Sequence, residues 1–110
     1  MKVKTIVPVA ASRTATFISP VHNIEGGSVV FYLDVTANTG TNETLNITIQ
    51  GYDHLSDTYY TIDTFTEATG VTTERKAINA LADGFVRLNC VLGGTGSPGF
   101  TYTVSYVEKP

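Results

Sequence analysis

Side chains able to do chemistry are few in this chain, and they are scattered. His22 and His54 are its only histidines and Cys90 its only cysteine. Metal and zinc-hydrolase sites need His, Cys or carboxylate ligands at short repeating spacings. Neither histidine has an HExxH, HxH or cysteine-rich surrounding, and both fall in turn-like segments. They are expected to be solvent-exposed loop residues rather than metal ligands or general bases. Cys90 alternates with Arg87 and Asn89, which puts it on the core side of a strand. A thiol there acts as a small apolar group with a raised pKa, so it is expected to be inert. It also leaves no partner for an intrachain disulfide.

Asp53, Asp57 and Asp63 bracket the turn Asp53-His54-Leu55-Ser56-Asp57-Thr58. Two of them could join backbone carbonyls around calcium, but aspartates in turns are usually there to accept backbone N–H bonds. The run Gly93-Gly94-Thr95-Gly96-Ser97-Pro98-Gly99 has the composition of a phosphate loop without its Lys-Ser/Thr ending or following helix, and is expected to be a hairpin loop. Asn42-Glu43-Thr44 and Asn46-Ile47-Thr48 match the glycosylation sequon in a chain rich in Asn and Thr. No catalytic residue, metal or cofactor is expected, and the chain is read as a non-enzyme. Six Tyr and five Phe are left as contact residues. Tyr32 and Tyr59 are expected to point outward, where aromatics stack on sugars or anchor an interface, beside the plainer role of cross-strand packing.

The elements that must position these residues are strands. In residues 28–37, Val29, Phe31, Leu33 and Val35 fall on one face, with Val30, Tyr32, Asp34 and Thr36 on the other. Residues 44–51 place Leu45, Ile47 and Ile49 inward, and 84–92 group Val86, Leu88 and Cys90. Phe100, Tyr102, Val104 and Tyr106 alternate with Thr101, Thr103 and Ser105. Residues 58–66 form a further strand, with Tyr60 and Ile62 preferred inward. Residues 72–78, carrying Glu74-Arg75-Lys76, suit an exposed edge. Residues 3–9 and 14–18 read as edge pieces split at Ala10-Ala11-Ser12, and 78–83 has room for one helical turn.

Turn residues punctuate these runs at Glu25-Gly26-Gly27, Asn38-Thr39-Gly40 and Ala68-Thr69-Gly70. The expected fold is all-β: a single-domain antiparallel β-sandwich over residues 1–110, immunoglobulin-like or jelly-roll, of about seven or eight strands. Residues 1–12 are either an edge strand of that sheet or an N-terminal docking arm lent to a neighbour's sheet. Val3, Ile6, Val7 and Val9 would be its apolar contacts, with Tyr32 and Tyr59 as further interface candidates.

Charged residues make up 15% of the 110-residue chain, against about 25% in an average soluble domain. A surface made polar by Thr, Ser, Asn and Tyr suits a protein that works against partners. With seven Lys and Arg and a net charge of -3, the chain cannot neutralise a run of phosphates, so nucleic acid is not an expected partner. The opening apolar stretch is too short for a signal peptide and is broken by Thr5 and Pro8. No run approaches the roughly 18 apolar residues of a membrane span, and no membrane partner is expected.

Three segments resemble a family of small virion-associated structural proteins of tailed bacteriophages. They are Val29-Val30-Phe31-Tyr32-Leu33-Asp34-Val35-Thr36 with Thr44-Leu45-Asn46-Ile47-Thr48-Ile49-Gln50-Gly51; the turn from Gly51 through Asp53 and Ser56 to Tyr59-Tyr60-Thr61-Ile62; and Gly93-Gly94-Thr95, Ser97 and Phe100-Thr101-Tyr102-Thr103-Val104. Where that family commonly carries proline and tryptophan before an arginine, this chain reads Gly84-Phe85-Val86-Arg87. The resemblance implies a virion protein assembled in the host bacterial cytoplasm, such as a capsid decoration protein or a minor tail or neck component. Its expected partners are the major capsid protein or tail and neck subunits, together with further copies of itself in a homo-oligomer. The alternative expectation is a carbohydrate-binding β-sandwich module for host-surface adhesion, from a tail or secreted protein. A shallow trough of exposed aromatics would favour the second; symmetric oligomerisation or particle binding would favour the first.

Overall fold

A computed structural model of the protein describes residues 3–7, 14–24, 28–79 and 84–109. They form seven strands and no helix: β1 (Val3–Val7), β2 (Phe17–Ile18), β3 (His22–Asn23), β4 (Ser28–Asp53), β5 (Thr58–Thr64), β6 (Thr72–Ile78) and β7 (Phe85–Lys109). All pairings are antiparallel, and two strands are far longer than the sequence suggests. β4 joins the expected strands 28–37 and 44–51, and β7 joins 84–92 and 100–106. The two pair along their whole length, from Ser28↔Lys109 to Gly51↔Val86.

The long pair bends in its middle and so belongs to two layers. The first layer places β1, the 102–107 half of β7, the 29–35 half of β4 and β6 side by side. In the second, β2 and β3 flank the 86–93 half of β7, which pairs with the 44–51 half of β4 and then β5. At the corner, four steps of β7 (Gly99 to Thr95) oppose two of β4 (Thr39 to Thr41), and β4 carries extra residues at 35–37 and 41–44. Such insertions sharpen the local bend and twist.

Glycine makes the corner possible. Gly94 has φ +125, and a Cβ there would lie 2.8 Å from the Glu43 Cα; Gly40 has φ +114, with the Pro98 Cα 2.8 Å away. A larger residue would need both a disfavoured backbone angle and room that backbone atoms already occupy. The run 93–99 is therefore a bent stretch of β7 paired to β4, which corrects the expected hairpin loop.

The expected alternation sets the core. Val29, Phe31, Leu33, Val35, Leu45, Ile47, Ile49, Val86, Leu88, Cys90, Phe100, Tyr102, Val104 and Tyr106 are all buried in one cluster between the layers. Phe65 and Ala68 join it from the segment that carries the chain from β5 to β6, beside Ile6, Ile24 and Ile78. Phe65 N–H donates to the Ile47 carbonyl at 2.9 Å, and Ala68 and Leu45 exchange N–H···O bonds of 2.9 Å each. Val30 departs from the expected wet face, being buried on the outer side of the first layer, where Ala77 and Val107 are its cross-strand neighbours.

Residues 3–7 are a strand of the protein's own sheet, paired to β7 from Val3↔Val107 to Val7↔Val104. A register shift between Thr5 and Val7 accompanies Ile6's place in the core, where it is 3% exposed. Ile6 is thus unavailable as a docking contact. Val3 and Val7 are spoken for along their backbones by β7, and Val9 and the Ala10-Ala11-Ser12 joint lie outside the described residues, as do residues 80–83 of the expected helical turn.

Candidate functional site

The second layer has an outer face with no strand packed on it among the described residues, and period-2 alternation decides what it presents. With Leu45, Ile47, Ile49 and Gly51 turned inward on β4, Asn46, Thr48, Gln50 and Tyr52 must face out. On β7 the same rule turns out Phe85, Arg87, Asn89 and Val91. Antiparallel register then aligns these side chains in rows across the sheet. Tyr52 is paired with Tyr59 of β5, Gln50 with Arg87 of β7 and Thr61 of β5, and Thr48 with Asn89 and Thr64.

The Tyr52 row is aromatic. Tyr52 meets Tyr59 at 5.3 Å between ring centroids and, edge to face, His54 at 4.8 Å and Phe85 at 6.5 Å. His54 also meets Phe85 at 5.4 Å. Such tilted and edge-on pairs follow the quadrupole of the rings. Tyr52, Tyr59 and Phe85 are half-buried and His54 is exposed, so the cluster retains ring surface open to solvent.

The turn from Asp53 to Asp57 holds His54 over this row. The Asp53 carboxylate accepts the Leu55 N–H at 2.9 Å and that of Ser56 at 3.5 Å, while the Asp57 N–H donates to the Asp53 carbonyl at 2.8 Å. Hydrogen bonding to the carboxylate, from the Leu55 N–H first and the Ser56 side chain next, holds the Asp53 carboxyl below the usual carboxylate range. Asp57 adopts φ 58, a left-handed angle that Asp tolerates, and the Tyr52 hydroxyl bonds its carboxylate.

Arg87 crosses over this platform. Its Cζ sits 3.6 Å from the centroid of the Tyr59 ring, and its Nε donates to the Gln50 Oε1 at 2.8 Å. Stacking and the amide bond together fix the plane of the guanidinium. Further along the face come Asn89 and Thr48, then Val91 and Asn46, whose Nδ2 donates to the Glu67 carboxylate at 3.0 Å. From Tyr52 to Asn46 the face runs about 20 Å at the strand rise per residue. At its far end, next to the corner, an open cavity of about 400 Å³ is lined by Asn42, Glu43, Thr44 and Thr69.

Expectations for individual residues divide. Tyr59 lies on the outer face as expected, but beneath Arg87; Tyr32 also points out, 39% exposed, on the other layer, where its cross-strand neighbours are Arg75 and Ser105. These two interface candidates are on opposite layers and do not form one surface. Ile62 packs against the core, and Tyr60 lies on the same side with its ring against Gly51, though 38% exposed at the sandwich rim.

His54 is exposed as expected, whereas His22 is a half-buried strand residue opposite Val86 and edge-on to Tyr106 at 6.1 Å. Burial first, and then the charge of Lys4, holds its pKa below the ordinary value. Cys90 is 0% exposed, out of reach of any substrate. Asp63 pairs with Lys76 at 3.6 Å, away from the turn bonds of Asp53 and Asp57. Among the described residues no group of three or more His, Cys, Asp or Glu could hold a metal ion.

Sequence reasoning did not single out Gln50, Tyr52, Phe85 or Arg87 as one surface. The signal was present in alternation, which turns all four outward, but their grouping depends on the register between β4, β5 and β7.

The architecture defines a class: a two-layer antiparallel β-sandwich with an aromatic and amide outer face. Its fold is similar to that of PirA, with TM-score 0.50 and 20% identity over 96% of this chain and 92% of that one. It is also similar to the N-terminal CBM22-1–GH10 modules of Clostridium thermocellum endo-1,4-β-D-xylanase 10B complexed with xylohexaose (TM-score 0.53, 13% identity, 98% of this chain and 25% of that one). A third likeness is to the CBM36-1 domain of a multidomain xylanase from the hindgut metagenome of Trinervitermes trinervoides (TM-score 0.51, 9% identity, 99% and 98%). At these identities the likeness establishes the β-sandwich fold. No family model and no curated protein matches the chain.

Proposed function

We propose that the protein is a non-catalytic carbohydrate-binding β-sandwich, an adhesion module of a tail or secreted protein, whose ligand lies along the outer face of the second layer. The observation that carries this reading is the row of Phe85, Tyr52 and Tyr59, capped by His54 and continued by Gln50, Asn89, Thr48 and Asn46. Sugars offer apolar C–H faces and rings of hydroxyls; aromatic rings meet the first, and planar amides and hydroxyls bond the second. The fold supports the reading too, because two of the similar structures contain carbohydrate-binding modules and one of them holds xylohexaose.

The test is affinity electrophoresis against a panel of soluble polysaccharides, followed by calorimetry on those that retard the protein. Tyr52→Ala and Phe85→Ala are each expected to weaken binding about tenfold while the β-sheet circular dichroism is unchanged. No retardation by any polysaccharide would overturn the proposal.

A virion-structural role is the second reading. It rests on the resemblance of residues 28–106 and on β5, an edge strand of seven residues whose only charge is Asp63. A nearly neutral edge is open to pairing with another chain. Symmetric oligomers in native mass spectrometry, or co-sedimentation with phage particles, would favour it; a monomer that binds no particle would remove it.

A further inference from the structure

Resting on the carbohydrate-binding reading, we propose that the outer face selects acidic sugars, and that Arg87 is the specificity residue, gripping the carboxylate of a uronic acid. The chain carries more acidic than basic residues, ten Asp and Glu against seven Lys and Arg. Yet Arg87, half-buried in the middle of the outer face, has no carboxylate within 4.0 Å among the described residues. The only side-chain hydrogen bond it makes there is neutral, Nε to the Gln50 amide oxygen, and the other close partner of its guanidinium is the Tyr59 ring.

That arrangement differs from a surface arginine waving in water. Stacking orients the guanidinium plane and Gln50 takes the Nε–H, which leaves the N–H bonds of the two Nη nitrogens for a ligand. Two parallel N–H bonds match the two oxygens of a planar carboxylate, a match that lysine does not reproduce. Half-burial beside aromatic rings lowers the local dielectric, and the ordering of the side chain is done before the ligand arrives. A sugar ring lying on the Phe85, Tyr52 and His54 surface would then place its carboxylate over β7 and its hydroxyls toward Asn89 and Thr48. Neutral glycans could use the rings and amides but would leave the cation unanswered.

The test is calorimetry of the full chain with hexamers of galacturonate, glucuronate and mannuronate, each run beside its methyl ester and its carboxyl-reduced neutral counterpart. At least one acidic hexamer is expected to bind about tenfold or more tightly than both of its neutral forms, with the preference shrinking as salt is raised. Arg87→Gln should erase the preference while leaving residual neutral binding, and Arg87→Lys should restore only part of it. Equal affinity for acid, ester and reduced sugar would overturn the acidic selectivity and leave the carbohydrate reading standing. Binding to none of them, and to no neutral polysaccharide, would overturn both. The ester comparison is made on the unaltered protein, so the inference stays open to refutation even if an Arg87 variant fails to fold.

Discussion

His22 behaves as a titratable part of the fold and not as a loop residue. Its ring is edge-on to Tyr106, and burial, then Lys4, favours the neutral imidazole. The unfolded chain takes up the His22 proton near the usual value of about 6.5, and the folded chain does so only at lower pH. Below that value the unfolded state therefore binds more protons, so the stability associated with a neutral His22 is complete above pH about 6.5 and is lost as the pH falls toward the folded pKa. Urea denaturation at a series of pH values should show a shallower loss on acidification for His22→Asn than for the wild type; parallel curves would refute this. The core makes a simpler residue-scale prediction. Leu33 and Ile47 are 2% and 1% exposed on opposite layers, so Leu33→Ala or Ile47→Ala should each cost about 2 to 5 kcal/mol of unfolding free energy.

Two elements carry consequences beyond their own residues. The bent β4–β7 pair makes one sheet serve as both layers, and Gly94 sits where it turns. Gly94→Ala should cost about 1 to 3 kcal/mol, because alanine at φ +125 is strained and its methyl group meets Glu43. Guanidinium denaturation would measure it, and a loss below about 0.5 kcal/mol would contradict the account. β1 is the second such element. Deleting residues 1–12 takes Ile6 out of the core and strips residues 104–107 of β7 of the backbone partner on one of their two sides. The deletion should lower the melting temperature by several degrees or more, and an unchanged Tm would argue that residues 1–12 serve a partner instead.

At the scale of the molecule, both layers share one core, and Cys90 lies within it at 0% exposure. A thiol reagent should therefore label Cys90 only through opening of the sandwich, with a rate that climbs with denaturant alongside global unfolding. Fast stoichiometric labelling of the native protein would show that the second layer opens by itself. The outer face, by contrast, is built before any ligand binds, from strands held on their other side by that core. A bound glycan should accordingly raise the melting temperature without altering the far-ultraviolet circular dichroism.

Alternation by itself determined that the chain is an all-β sandwich and most of the side chains that fill it, though not Ile6, Phe65 or Ala68. Residues 29–35, 45–49, 86–90 and 100–106 switch faces at every step, and a one-residue slip would turn each apolar set out into water. The inward set is thus a local property of the chain, and Cys90 was legible as buried for the same reason. Register, bends and burial of short segments are not local. Asn38-Thr39-Gly40 and the glycine run 93–99 carry the composition of turns, and only the pairing of each with the other makes them a continuous corner. His22 reads as a loop residue until β7 lies beside it. The candidate site is of the same kind. Tyr52, Tyr59, Phe85 and Arg87 come from three strands, and each is turned outward by a rule the sequence contains. What brings Arg87 over the Tyr59 ring is the antiparallel register of β7 with β4 and of β4 with β5, contacts between residues far apart in the chain that only tertiary packing can set.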